Sequence, residues 1–313
     1  CALPILCQRV GESMKVGSFL GIVFKVNPFF LLLITLAFVF GQLLPALILF
    51  AIVLFHELAH TITAFAYGLR VIEVELLPFG GVARMDHLLE LNPKIETVVA
   101  LAGPLSNLLL LAVLWACHTY GLLVADWFWF LARANLSMAA LNLLPGLPLD
   151  GGRILRSRLL YRCGFCKATE RAAKMGQFLA VGLMALGLIG SLAAADASGA
   201  LLVVVGIFLF MAAKKEAAQA MYVFLRYLIQ KQFQVRTERV MPAKELVATC
   251  ETTVGEVIRC LTPSFYHLIW IIDLQGRLIG VLTELELING LLEQGIHDKL
   301  NKLVKQRFNH RYD

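Results

Sequence analysis

The chain has 313 residues, 28 Lys and Arg against 22 Asp and Glu, a formal net charge of +6, and 59% hydrophobic but only 16% charged residues. Soluble globular domains carry about 25% charged residues, so this composition excludes an ordinary soluble enzyme and indicates an integral, multi-pass membrane protein. Basic residues beside membrane spans account for the positive charge without a nucleic-acid partner, and the seven cysteines lack the dense spacing of a disulfide framework, so reduced thiols are expected.

The stretch before Phe29 has no short apolar core ending in a small-residue cleavage site, so no removable signal is expected and residues 1–26 read as a cytosolic N-terminal segment. A bilayer crossing takes about 20 apolar residues. Runs near 27–42, 43–66, 95–117, 128–149, 175–195 and 198–213 meet or approach that length, which predicts an α-helical polytopic domain of six spans over 27–213. The tight join at Gly41-Gln42 and the Gly and Pro residues of the fourth run leave five or seven spans open. Between the second and third runs, Val71–Leu77 and Val82–Met85 flank Pro78, Phe79, Gly80 and Gly81 and predict a membrane-dipping hairpin, the alternative being an ordinary cytosolic loop.

Arg153, Arg156, Arg158, Arg162, Lys167, Arg171 and Lys174 face a single acid, Glu170, in one connection, which marks it as cytosolic. The opposite joins carry Asp126 and Asp196 and no Lys or Arg, so both termini are expected in the cytosol, with Arg133 snorkelling near the outer end of the fourth span. A charged helical linker is expected at 214–235, followed by a small α/β domain at 236–296. Within it Leu268–Ile272 and Arg277–Leu282 read as strands around a turn at Asp273–Gly276, and 284–294 as a helix. The polar tail 297–313 predicts no ordered element.

The residues that carry chemistry begin with His56-Glu57-Leu58-Ala59-His60, inside an almost uncharged apolar run. Ionisable groups at membrane depth cost roughly 2.5–3.5 kcal/mol each on insertion scales and persist chiefly where they bind or react. Helical residues four apart share a face, so His56 and His60 can offer two imidazoles to one zinc ion, while Glu57 is placed as a general base that then protonates the leaving nitrogen. A catalytic zinc takes three protein ligands and keeps a position open. Asp150, in the broken span Asn142-Leu-Leu-Pro145-Gly-Leu-Pro148-Leu-Asp150-Gly-Gly152, is the leading third ligand; the alternative is an aspartate capping a helix that starts near Arg153.

These two motifs together resemble the site-2-type intramembrane zinc metalloproteases, peptidase family M50. In detail the chain resembles the family's sporulation subgroup through Leu76–Gly81, Ala102–Leu105, Asn142–Pro145, Pro148–Gly152 and the trailing small domain. The resemblance implies His56, His60 and Asp150 as ligands of one zinc per chain, Glu57 as the catalytic acid/base, and Asn142 and Pro148 in a substrate-facing cleft. It also implies endopeptidase activity in or near a substrate's membrane segment, for this subgroup on the pro-sequence of a sigma factor. Inhibitory membrane proteins would accompany it, in the bacterial cell membrane or the membrane around the forespore.

Cleaving a helical substrate requires local unwinding, so the hairpin from Phe79, Gly80 and Gly81 to Val82 is read as a free edge that pairs with the extended substrate. Gly103-Pro104 and Asn107 would let the third span pack tightly on the metal-bearing helix. Cys163-Gly-Phe-Cys166 has metal-like spacing but no second pair, and reads as incidental. Residues 236–296 resemble a single cystathionine-β-synthase-type (CBS) repeat. Such repeats work in pairs, which implies a homo-oligomer. Thr283 and Glu286 could meet the hydroxyls and phosphates of an adenine nucleotide such as ATP, although the family more often has aspartate where Glu286 stands. A docking module without ligand is the alternative.

Two further readings remain open on the residues alone: a transporter or cation-handling protein with a regulatory CBS domain, and a membrane-anchored peptidase acting on soluble proteins.

Overall fold

A computed structural model describes residues 14–19, 22–26, 28–69, 71–77, 80–85, 92–194, 199–238, 242–263 and 265–309. The described chain divides into two compact units, one of residues 1–90, 94–145 and 149–154, the other of 91–93, 146–148 and 155–313.

In the first unit, α1 (Pro28–Val39) has 12 residues, about 18 Å of helix and short of a crossing. Gly41, at φ 67°, reverses the chain into α2 (Leu43–Ala66), whose bounds match the expected second span. α3 (Pro93–Thr119) follows, then α4 (Ala125–Asn142). The fourth expected span does not continue to 149. Leu143–Leu149, with Pro145, Gly146 and Pro148, forms no helix, and α5 (Asp150–Cys163) begins at the aspartate. α5 passes into the second unit at residue 155.

Four strands complete the first unit: β1 (Met14–Phe19), β2 (Ile22–Val26), β3 (Val71–Leu77) and β4 (Gly80–Met85), in the order β1-β2-β3-β4. β2 pairs parallel with β3, while β3 and β4 form an antiparallel hairpin in which Glu75 faces Val82 and Leu77 faces Gly80. The expected hairpin is therefore present, and β4 borders the sheet alongside α2. Strands β1 and β2, within what the sequence offered only as an N-terminal segment, were not expected.

In the second unit the basic connection expected before residue 175 is helical. It comprises the rest of α5 and the start of α6 (Phe165–Ala194), parted by Gly164 alone. Gly164 sits at φ 77°, and a Cβ there would fall 2.8 Å from the carbonyl oxygen of Arg259. Arg and Lys are good helix formers, so their value as topology markers concealed a helix. α7 (Ala200–Glu238) likewise runs 39 residues, joining the expected sixth span to the linker as one helix. Ala168, Ala172, Ala173, Ala180, Ala213 and Ala220 are buried, the small side chains that let α6 and α7 approach closely.

Among the described residues, three helical segments are long and apolar enough to cross a membrane: Leu43–Ala66, Pro93–Thr119 and Phe165–Ala193. Their outer faces are unusually apolar for a water-facing surface, with Ile62 65%, Phe65 74% and Phe178 74% exposed.

The C-terminal part follows the order β5 (Ala243–Thr249), α8 (Val254–Ile258), β6 (Tyr266–Ile272), β7 (Leu278–Thr283), α9 (Glu284–Gln294). β5 is parallel and β7 antiparallel to the central β6. Both strands and the helix expected here are present, α9 with the expected bounds. The tail departs from expectation. α10 (Leu300–Asn309) is helical because Leu300, Leu303 and Val304 recur on one face and are buried, and Leu303 packs so closely on Gly290 of α9 that a Cβ there would collide with it.

Candidate metal centre

α2 carries His56 and His60 four residues apart, one turn of helix, so both imidazoles leave the same face. Their rings lie 4.7 Å apart at 85°, with the two Nε2 atoms 3.1 Å from each other. Asp150, at the first residue of α5, brings Oδ2 to 3.1 Å from His56 Nε2 and 3.2 Å from His60 Nε2. A residue with this helix position could simply cap the helix; here its carboxylate reaches both imidazoles. All three side chains are buried.

The outward nitrogens decide what these three atoms can be. His60 Nδ1 lies 2.7 Å from the carbonyl oxygen of Val99, which can only accept, so Nδ1 carries the proton. His56 Nδ1 lies 2.5 Å from Asn107 Oδ1 and donates to it. When neutral, each ring presents a bare Nε2 lone pair, and both face a carboxylate oxygen. Three acceptors about 3 Å apart with no proton between them repel one another unless a cation sits among them. Two histidines and one carboxylate are the donors of many catalytic zinc sites, and four-coordinate zinc at 2.0–2.1 Å places its ligand atoms roughly 3.3 Å apart. The cluster is compatible with zinc, and no other group of three His, Cys, Asp or Glu ligand atoms comes together among the described residues.

Helix α3 supplies the close wall. A Cβ on Gly103 would fall 2.6 Å from His56 Cε1 and closer still to the His60 ring, so only glycine fits there. The tight packing expected at Gly103 is thus against the imidazoles themselves. Gly151 serves Asp150 similarly, since a Cβ there would collide with the carbonyl oxygens of Leu143 and Leu144. The sequence reading took Asn107 for a packing residue and passed over Asn135. Both are 0% exposed, and Asn107 Nδ2 donates to Asn135 Oδ1 at 3.0 Å. The available signal was an amide in mid-run in each of two apolar helices.

Glu57 follows His56 on α2, half-buried and outside the three-ligand cluster. Asn142, the last residue of α4, and Pro148 are half-buried; Gly80, Gly81 and Val82 lie on β4, and Phe79 falls outside the described residues. Thr283 and Glu286 are engaged with each other: Thr283 caps α9, its Oγ1 accepting from Glu286 N–H, while Glu286 Oε2 accepts from Thr283 N–H at 2.8 Å. Cys163 Sγ donates to the carbonyl of Leu159, and Cys166 is buried; neither belongs to a group of three such ligand atoms among the described residues.

Residues 44–124 and 118–186 match Peptidase family M50. The chain is 34% identical over 182 residues to a zinc metalloprotease of Methanocaldococcus jannaschii, covering 55% of this chain and 48% of that protein, so it spans about half the length of that relative. It is 28% identical over 266 residues to Stage IV sporulation protein FB of Bacillus subtilis, covering 84% of this chain and 89% of the relative. Among solved structures, the Site-2 Protease from Methanocaldococcus jannaschii superposes with a TM-score of 0.54 at 28% identity, covering 66% of this chain and 95% of that one.

Proposed function

We propose that the chain, whose residues 44–124 and 118–186 match Peptidase family M50, is a zinc-dependent intramembrane endopeptidase acting in regulated intramembrane proteolysis. The observation that carries this reading is the convergence of three buried acceptors, His56 Nε2, His60 Nε2 and Asp150 Oδ2, within 3.2 Å of one another.

His56, His60 and Asp150 would hold the metal, and Glu57 would not. Zinc, when bound, supplies Lewis acidity toward the scissile carbonyl. Glu57, one residue round the helix from His56, takes a proton from the attacking water on its carboxylate and returns it to the leaving nitrogen. The apolar walls of α2 and α3 keep bulk water out and strengthen each polar contact inside. Gly103 is the eleventh residue of α3, about 15 Å along a helix of roughly 40 Å, which favours chemistry at membrane depth.

The substrate meets this site in extended form. Hairpin β3–β4 would offer its free edge at Gly80, Gly81 and Val82, and Phe79, Asn142 and Pro148 are the further substrate-binding candidates. Cytosolic termini fit the distribution of Lys and Arg, and six spans would require α1, 12 residues long, to count as one of them. The similarity to Stage IV sporulation protein FB covers 84% of this chain and favours the pro-sequence of a sporulation sigma factor as substrate, with inhibitory membrane proteins as partners. The β-α-β-β-α order of residues 243–294 supports a CBS module that pairs between copies of the chain and takes an adenine nucleotide such as ATP near Thr283 and Glu286.

The test is Glu57→Gln in the full chain, co-expressed with a candidate pro-sigma factor. Zinc retained with cleavage lost supports the protease. Undiminished cleavage removes the assigned role of Glu57, and a cation-handling protein would have no need of this carboxylate.

A further inference from the structure

His60 is oriented by a backbone carbonyl, but His56 depends on two side chains that no metal or substrate would touch. Asn135 Nδ2 donates to the carbonyl oxygen of Leu131 at 2.9 Å. A carbonyl cannot donate, so this bond fixes which end of the Asn135 amide is nitrogen and turns its Oδ1 toward α3. Asn107 Nδ2 donates to that oxygen at 3.0 Å, which fixes the second amide and turns its Oδ1 toward His56 Nδ1, 2.5 Å away. The relay therefore starts on a backbone acceptor in α4, crosses α3 and ends on α2, and every link has one permitted direction. Buried side-chain amides with all these partners satisfied are costly to reverse, since a flipped amide would face donor against donor or acceptor against acceptor.

We propose that Asn135 and Asn107 are positioning residues that act as an amide relay, holding His56 in the Nδ1-protonated tautomer with Nε2 free for the metal. This rests on the zinc reading above and deepens it. Neither asparagine is a catalytic residue. Asn107 acts through His56, and Asn135 acts only by setting the direction of Asn107. The dependence on direction distinguishes the relay from simple packing. If residue 107 were a carboxylate, either oxygen could accept the imidazole proton, and Asn135, whose Oδ1 would then face another acceptor, could no longer set its direction.

The experiment is a double-mutant cycle read as zinc affinity, by chelator competition on the full chain in detergent, with cobalt substitution giving the absorption spectrum of the site. Outer-shell partners of a ligating histidine are worth about 10–100-fold in metal affinity. Asn107→Leu should lower zinc affinity by about that factor and alter the cobalt spectrum, whereas Asn107→Asp should hold affinity within a few-fold of the wild type. Asn135→Leu should weaken zinc when residue 107 is Asn and should not weaken it when it is Asp, where Leu removes an acceptor facing the carboxylate. Equal losses from Asn135→Leu in both backgrounds would reduce Asn135 to a packing residue and overturn the relay, as would unchanged affinity in Asn107→Leu or in Asn135→Leu alone. Should Asn107→Leu fail to fold, the two Asn135→Leu backgrounds still decide. A wild-type chain that binds no zinc would instead overturn the metalloprotease reading, an outcome separate from any of these.

Discussion

Asp150 Oδ2 lies 3.1 Å from His56 Nε2 although the two residues are 94 positions apart in the chain. The contact joins the first turn of α5 to the middle of α2. Replacing Asp150 by Asn keeps the volume but substitutes a neutral amide for the anionic donor among two bare imidazole nitrogens. Asp150→Asn should lose at least tenfold in zinc affinity while the helical circular dichroism is unchanged. Zinc retained at wild-type affinity would remove Asp150 from the ligand set.

Gly103→Ala should be far worse than helix propensity suggests. In an exposed helix interior the change would gain up to about 1 kcal/mol, but here the added methyl collides with both imidazoles. Zinc stoichiometry should fall well below one per chain. Gly182→Ala on α6, where a Cβ meets nothing within 4 Å, is the control and should keep full zinc and an equal or higher melting temperature.

Among the described residues, strand β4 has a neighbour on one side only, β3, and its other edge is the proposed docking line for substrate. Val82→Pro removes one backbone N–H and fixes φ. Cleavage should drop at least tenfold with zinc content unchanged, as measured on the same purified preparation. Normal cleavage would end the strand-pairing account.

Two capping boxes frame the C-terminal part, Thr253 with Glu256 and Thr283 with Glu286. Thr283→Ala should destabilise this part by about 1 kcal/mol in thermal melts without nucleotide, and by more with ATP present, since the proposed ligand would stabilise the wild type alone. The Glu256 carboxylate is held below its usual range, chiefly by the hydrogen bond from Thr253 N–H. A depressed acid stabilises the fold above its unfolded value of 4.5 and loses that contribution as pH falls through the lower folded value. The wild type and Glu256→Gln should therefore differ in melting temperature at neutral pH and converge as the solution is acidified below that range.

The parts of the structure readable in sequence are those where one physical demand dominates. Helix α2 is bounded as expected because a continuous apolar run ends at Tyr67 and Gly68, and the His56/His60 pair follows from helical spacing alone. Asp150 was readable because prolines and glycines break a span just before a carboxylate. The stretch from 150 to 174 was harder, since its arginines and lysines serve topology and helix formation at once, and the break at Gly164 is a single residue. Asn107 and Asn135 were hidden for a different reason. An amide in an apolar helix has no fixed partner until three helices are assembled, and here the partners sit 51 and 28 positions away in the chain.

The most direct measurement is zinc X-ray absorption on the purified full-length chain, together with metal content. The account predicts one zinc per chain, with a first shell of two imidazole nitrogens and carboxylate oxygen at about 2.0–2.2 Å and no sulfur. A sulfur scatterer near 2.3 Å would move the metal to a cysteine such as Cys163 or Cys166, and absence of stoichiometric zinc would remove it altogether; either result would contradict the site at His56, His60 and Asp150.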